Sequence, residues 1–130
     1  MSTIGHPLSD VSNLIVPYTI TARTPTPRRN SREAFRPAAR LAGLPTRAEC
    51  IALYGRVSGY DLSADVPWGT AFAMFRDCII FQGIGARYAV RQASSPKAKQ
   101  VGEEMFPCAE IARGLVEEAK GITGAAKVRL

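Results

Sequence analysis

Residues 67–92, with the sequence PWGTAFAMFRDCIIFQGIGARYAVRQ, decide the fold of this chain. Seven apolar or uncharged positions of this stretch recur at alternating steps of four and three, which places them on one face of an α-helix. Asp65 can cap the start of this helix, and Pro67 fits its first turn, where a missing N–H costs nothing. The pattern predicts one helix of about 39 Å. The positions on its main stripe are Trp68, Phe72, Phe75, Ile79, Gln82, Ala86 and Ala89.

Further apolar side chains lie outside this stripe, at Met74, Ile80, Phe81, Ile84 and Tyr88. A helix that is apolar on most sides is typical of a central element with neighbours packed around it. A membrane span is the alternative, but Arg76, Asp77 and Gln82 interrupt the apolar stretch too early. We therefore expect a buried helix and no membrane span.

The length and composition indicate one folded domain, or part of one, in a reducing compartment. Of the 130 residues 46% are apolar, which excludes a disordered chain. The three cysteines lie in helical, mainly apolar patterns, so we expect free thiols in a core. A Cys/His zinc site is excluded because His6 is the single histidine. The first residues do not resemble a secretory signal, and we expect an intracellular, cytoplasmic location.

Positive charge is concentrated in the first third of the chain. Residues 1–47 hold seven arginines and two acidic residues, a net charge of +5, whereas the remaining residues contribute +1. Such a segment can attract phosphates or nucleic acid. A solvated loop is the preferred interpretation, because the arginines share no helical face and Phe35 is the one aromatic residue among them. We expect no specific nucleic-acid site.

A short helix is predicted near the amino terminus, with Val11, Leu14 and Ile15 as its apolar side chains. Ser9 or Asp10 can cap this helix, and Pro17 should end it. An irregular basic loop, residues 19–45, then contains four prolines, with one turn of helix expected near Ser31–Phe35.

A second helix begins at a capping box, in which the Thr46 hydroxyl and the Glu49 carboxylate satisfy each other's backbone donors. Gly59 should end this helix. The side chains that we expect it to bury are Cys50, Leu53, Tyr54 and Val57.

A last long helix follows the central one, with Ser95 as its cap, Pro96 as its first residue and a kink at Pro107. No stretch is typical of paired strands, so the sequence predicts an all-α, antiparallel helical domain over residues 1–119. Residues 120–130 should form a frayed tail. The inward side chains of the last helix are expected to be Val101, Met105, Cys108, Ile111, Ala112, Leu115 and Val116.

Few side chains of this chain are suited to catalysis. Gly83-Ile84-Gly85 lies in a helical pattern without a preceding strand, which favours close packing over phosphate binding. Gln82 is an amide on the apolar stripe, and a tie between helices is preferred to a ligand contact there. Arg76, Arg87 and Arg91 share one helical face, where either nearby acids or an anionic ligand can neutralise them.

Several segments of the chain resemble the aminoglycoside phosphotransferase and choline kinase-like family. Gly5–Val11 is similar to the family's Gly-Asp-Pro-x-x-Asp-Leu stretch, with His6 where Asp is commoner. Trp68–Arg76 and Phe81–Arg87 are closest to the branch also found joined to acyl-CoA dehydrogenases. The resemblance covers most of residues 1–119, and its other segments are Leu44–Arg47, Tyr54–Asp61 and Gln92–Ser95.

This resemblance implies the helical C-terminal subdomain of a protein kinase-like phosphotransferase fold. Members of the family use ATP and magnesium to phosphorylate a hydroxyl group of a small molecule. The family's glycine-rich loop, phosphate-binding Lys, catalytic Asp and magnesium ligands have no counterpart in this sequence. We therefore expect no metal or cofactor in this chain, and no activity from it alone.

By the same resemblance, Asp10 supports the backbone of the catalytic loop from below. The substrate side of the fold is implied to be lined by Trp68, Phe72, Arg76, Gln82 and Arg87, and no catalytic residue or metal ligand is assigned. Two hypotheses stay open. The chain is part of such an enzyme and needs a missing N-terminal lobe, or it is a free-standing helical module that binds a partner protein.

Overall fold

The computed structural model describes residues 5–24, 31–37 and 41–127, without the side chains of residues 31, 32 and 122–127. Within these ranges the chain is all-helical and has no strand, which confirms the all-α class. None of the described helices is long and apolar enough to cross a membrane. In chain order the elements are α1 (Pro7–Arg23), a short 3-10 helix η1 (Ser31–Phe35), α2 (Arg47–Ser58), α3 (Val66–Ala89), α4 (Ala98–Glu103) and α5 (Met105–Lys127).

The chain divides into two compact units, Met1–Thr70 and Ala71–Leu130, and the division falls inside α3. The sequence predicted one domain that ends at residue 119 and a frayed tail after it. No element ends at that residue, because α5 continues as a helix to Lys127.

A closed apolar core holds the first unit together. Val11 and Ile15 of α1 are completely buried, and they pack with Leu62 of the connector and Val66 at the start of α3. Leu14, which the sequence placed on the same apolar side, is instead 55% exposed. The apolar side of α1 is therefore narrower than predicted.

The start of α1 differs from the predicted one. His6 caps the helix, because its Nδ1 accepts the backbone N–H of Leu8 at 3.3 Å. Pro7 is the first helical residue, a position where its missing N–H costs nothing. The expected caps, Ser9 and Asp10, lie inside the first turn instead.

The prediction that Pro17 ends α1 is wrong, since the helix continues to Arg23. A proline inside a helix removes one backbone hydrogen bond and costs about 3 kcal/mol. The turn that follows recovers this cost by burying Tyr18, Thr19 and Thr21. The irregular loop therefore does not begin at residue 19.

Arg36 closes the carboxyl end of α1 from the other side of the loop. One of its guanidinium nitrogens donates to the carbonyl oxygens of Thr21 and Thr24, at 3.0 and 3.1 Å. The Glu33 carboxylate holds the same guanidinium at 2.9 Å, and this pairing raises the pKa of Arg36. The helical turn expected at Ser31–Phe35 is present as η1 and supplies Glu33.

The capping box of α2 is confirmed, but the burial predicted for this helix is wrong. The Glu49 N–H donates to the Thr46 hydroxyl at 3.1 Å, and the Thr46 N–H donates to the Glu49 carboxylate at 2.6 Å. Gly59 ends the helix in the left-handed conformation. No residue of α2 is fully buried: Cys50 and Tyr54 are half-buried, and Leu53 and Val57 are exposed.

The structure buries a different face of α3 from the predicted one. Phe72, Phe75 and Ile79, which we call the exposed stripe, are each more than half exposed. Gln82, Ala86 and Ala89 farther along the same face are exposed as well. One residue along a helix turns the direction of its side chain by about 100°. The buried positions are each one residue earlier, at Ala71, Met74 and Cys78, so the interpretation of α3 as a helix buried on most sides is wrong.

The carboxyl end of α3 forms a cap in which Arg91 adopts a left-handed backbone, with φ of 58°. The N–H of Gln92 donates to the Arg87 carbonyl at 2.8 Å, and that of Arg91 donates to the Tyr88 carbonyl at 3.0 Å. This is the pattern of a Schellman motif, where glycine is the usual left-handed residue. The helix ends at Ala89, three residues earlier than predicted.

The predicted last helix is two helices, α4 and α5, with the break at Glu104. Pro107 lies in the first turn of α5, where its missing N–H is tolerated. Ser95 precedes α4 by three residues, and its hydroxyl accepts the N–H of Lys97 at 3.2 Å. Cys108, Ala112 and Leu115 are buried as predicted, whereas Val101, Met105, Ile111 and Val116 are half-buried.

The three cysteines are free thiols, as the sequence predicted. Cys78 and Cys108 are buried, and the thiol of Cys108 donates to the backbone carbonyl of Met74 at 3.3 Å. Cys50 is half-buried.

The two faces of α3 should respond differently to truncation. Met74→Ala should lower the free energy of unfolding by about 2–5 kcal/mol, because it removes a fully buried side chain. Phe72→Ala should change it by less than about 1 kcal/mol, because 64% of that ring is already exposed. Urea denaturation of both variants measures this, and a larger loss for Phe72→Ala would contradict the observed orientation of α3.

The crossing of α3 and α4 should depend on Gly102. A Cβ atom at Gly102 would lie 2.7 Å from the Cα of Gly85, and backbone cannot move aside as a flexible side chain can. Gly102→Ala should therefore destabilise the second unit by about 1–3 kcal/mol. Gly83→Ala is the matched control in α3: no atom lies within 4 Å of the new methyl group, so helix propensity should raise stability by up to about 1 kcal/mol. Equal effects in thermal unfolding would refute the close crossing.

Candidate functional site

The side chains expected to form a substrate wall do not converge on one point. Phe72, Arg76, Gln82 and Arg87 are spread over about 22 Å of α3, at 1.5 Å per residue. Phe72, Gln82 and Arg87 are exposed, and Arg76 is half-buried. At about 100° per residue, Gln82 lies on one side of Phe72 around the helix, and Arg76 and Arg87 lie on the other. A small substrate could therefore contact only some of the four residues at a time.

The two other residues implied by the family resemblance lie in the first unit. Trp68 is in the first turn of α3 and 42% exposed. Asp10 is in the first turn of α1, where a carboxylate interacts favourably with the helix dipole, and its side chain is exposed. Its position is that of a surface carboxylate at a helix start.

Metal-ligating side chains do not cluster in the part of the chain that the structure describes. No group of three or more His, Cys, Asp or Glu residues there could hold a metal ion. Two acidic residues of α5 form local ion pairs, since Glu110 holds Arg113 at 3.0 Å and Glu117 holds Lys120 at 3.1 Å. Both pairs are exposed and contribute little to stability.

The first unit contains an apolar groove of about 730 Å³ between α1, η1 and α2. This volume is within the range of small-molecule sites. Leu53 and Val57, which the sequence placed in the core, lie on one of its walls. Apolar side chains form most of the lining, among them Leu14, Pro17, Phe35 and Leu44.

The hydroxyl groups beside the apolar groove are already engaged by the protein. The Tyr18 hydroxyl donates to the carbonyl of Pro45 at 2.7 Å, and its ring packs edge-on against Phe35 at 5.0 Å. The Tyr54 hydroxyl donates to the carbonyl of Pro7 at 3.1 Å. Because these donors are occupied, the groove favours apolar groups over polar ones. The sequence did not predict this groove, because the apolar positions of α2 were expected to be buried in the core.

A second concavity, the basic pocket, lies in the second unit after the end of α3. It has a volume of about 660 Å³ and a mixed lining: Tyr88, Arg91, Ser94 and Ser95 with the apolar residues Ala89, Ala93 and Pro96. Tyr88 is 46% exposed. The helical pattern of the sequence groups Arg91 with Arg76 and Arg87, but the place of Arg91 in this pocket depends on the turn after α3.

The shifted pKa values mark structural contacts of the first unit. Burial and the nearby charge of Arg23 lower the pKa of Arg47, whose guanidinium reaches the Thr70 hydroxyl at 3.4 Å. The Tyr60 hydroxyl donates to the Asp65 carboxylate, which raises the pKa of Tyr60. Hydrogen bonds from the Ser63 hydroxyl and backbone lower the pKa of Asp61. These contacts order the turn that leads into α3.

No protein-family model, curated protein or solved structure matches this chain.

Proposed function

We propose that this chain supplies the helical, acceptor-side part of a small-molecule phosphotransferase of the aminoglycoside phosphotransferase type. In this proposal it is inactive until other residues supply the ATP-binding and catalytic elements. The proposal is supported by the resemblance of Trp68–Arg76 and Phe81–Arg87 to that family, since both segments lie on α3. The observation that carries it is the exposed stripe.

The exposed stripe is an apolar surface whose burial against a packing partner is energetically favourable. Phe72, Phe75 and Ile79 are 64%, 55% and 53% exposed and follow one another at helical spacing. Burying apolar surface contributes roughly 25 cal/mol per Å², so a contiguous stripe of large side chains gains stability from a packing partner. A second lobe of the kinase-like fold is the partner that the family resemblance implies.

Polar side chains on the same helix would then serve the acceptor molecule. Gln82 is exposed and carries both a donor and an acceptor, which suits a hydroxyl-bearing substrate. Arg87 is exposed five residues farther along α3 and would contact an anionic group of the acceptor. ATP and magnesium would be held by the missing elements.

The purified chain should show no magnesium-dependent transfer from ATP to hydroxyl acceptors, because the family's ATP-binding and catalytic motifs have no counterpart in its sequence. A coupled assay for ADP release checks this, with a known aminoglycoside phosphotransferase as the positive control. Turnover that a substitution within this chain abolishes would contradict the proposal.

The DNA upstream of the Met1 codon should encode in-frame His-x-Asp and Asp-x-Glu motifs, and a sequence without them would also count against the proposal.

A free-standing helical binding module is the second candidate. The closed core of the first unit favours it, because Val11 and Ile15 are fully buried without any further lobe. The apolar groove would be its binding surface, and an apolar segment of a partner protein its ligand.

Sizing and dye binding should separate the two candidates. A lobe that lacks its packing partner should self-associate in sedimentation velocity and bind a hydrophobic dye, and Phe75→Lys should reduce both. Ala86→Lys is the control, because it adds the same charge to an exposed position of α3 outside the stripe's large side chains. A monodisperse monomer that binds no dye would favour the module.

A further inference from the structure

The turn after α3 carries an excess of positive charge that the fold does not neutralise. Residues 78–102 contain four cations and no acidic residue. None of the four lies within ion-pair distance of a carboxylate among the residues that the structure describes. They are Arg87, Arg91, Lys97 and Lys99, and all are exposed.

Helix dipoles explain part of this arrangement. Arg87 and Arg91 lie at the carboxyl end of α3, where positive charge is favourable. Lys97 and Lys99 lie at the start of α4, where positive charge is unfavourable. Stability alone therefore does not account for the four charges together.

The basic pocket lies within this segment and offers complementary groups for an anion. Arg91 lines it together with the hydroxyl groups of Ser94 and Ser95. The Ser95 oxygen accepts the N–H of Lys97, which leaves its hydroxyl proton available for donation. The ring of Tyr88 lines the same pocket and is about half exposed.

The backbone of Arg91 adds a second, independent observation. It is the one described residue other than glycine with a positive φ, at a position where glycine is usual. Such strain at a non-glycine residue is common where its side chain serves a function. Here the strained residue is the one that brings a guanidinium into the pocket.

We propose that the basic pocket binds a phosphate monoester that carries a flat ring. The Arg91 guanidinium and the hydroxyl groups of Ser94 and Ser95 contact the phosphate oxygens, and the Tyr88 ring stacks on the ligand's ring. The charges of Arg87, Lys97 and Lys99 attract the anion. This site is independent of the proposed phosphotransferase function and lies outside the motifs by which that family binds ATP.

Isothermal titration of the full chain at low salt tests the site with adenosine monophosphate, phenyl phosphate, inorganic phosphate and adenosine as probes. Both monoesters should bind at least about fivefold more tightly than inorganic phosphate, because each carries a ring that stacks on the ring of Tyr88. Adenosine should bind more weakly than either monoester, because it lacks the anion. Equal affinity for adenosine and its monophosphate would overturn the proposal, as would the absence of binding by every probe.

Arg91→Gly separates binding from folding. This substitution should raise the melting temperature, because glycine adopts the positive φ without strain. It should also lower the affinity for adenosine monophosphate roughly tenfold or more. Arg56→Gln, which removes an exposed cation from α2, is the control for net charge and should leave binding unchanged. Tyr88→Ala should abolish the advantage of the monoesters over inorganic phosphate.

Two results would refute the site even if binding is observed. One is an equal loss of affinity in Arg56→Gln and Arg91→Gly, which would indicate a diffuse charge effect. The other is a single-stranded octanucleotide that binds far more tightly than the monoesters with a steep salt dependence, which would indicate a nucleic-acid surface.

Discussion

Tyr18 is the residue on which the first unit depends. Its ring packs against Phe35 of η1, and its hydroxyl donates to the Pro45 carbonyl just before α2. These contacts are possible because α1 remains helical beyond Pro17 and brings Tyr18 to the junction of the three elements. The proline costs a backbone hydrogen bond, and the burial of the following turn offsets it. One side chain thus fixes both the course of the chain after α1 and one end of the apolar groove.

The sequence predicted the helices well and their orientations less well. The capping box at Thr46 and the stop at Gly59 are local signals, and both are confirmed. The buried face of α3 could not be predicted, because a helix with large apolar residues on most sides gives no preferred direction. The structure buries Met74 and smaller neighbours and leaves Phe72 exposed, the reverse of an assignment by side-chain size. Likewise, local helix propensity predicted that α1 ends at Pro17, but tertiary packing keeps the chain helical as far as Arg23.

The candidate sites were less predictable than the fold for a related reason. The apolar groove combines side chains from α1, η1 and α2, and no periodicity within one helix reveals such a set. Part of the basic pocket could be predicted, because the helical pattern of the sequence places Arg91 on one face with Arg76 and Arg87. Its left-handed backbone was not, since the sequence has no glycine at that position to mark the turn.

The contact between Gly85 and Gly102 has a consequence for the register of the second unit. The two backbones approach so closely that Gly102 has no room for a Cβ atom, which would lie 2.7 Å from the Cα of Gly85, whereas a Cβ at Gly85 would make an ordinary contact at 3.5 Å. A register that placed Val101 or Glu103 at this crossing would put a Cβ atom where Gly102 has none. One absent side chain on α4 therefore restricts the alignment of the two helices.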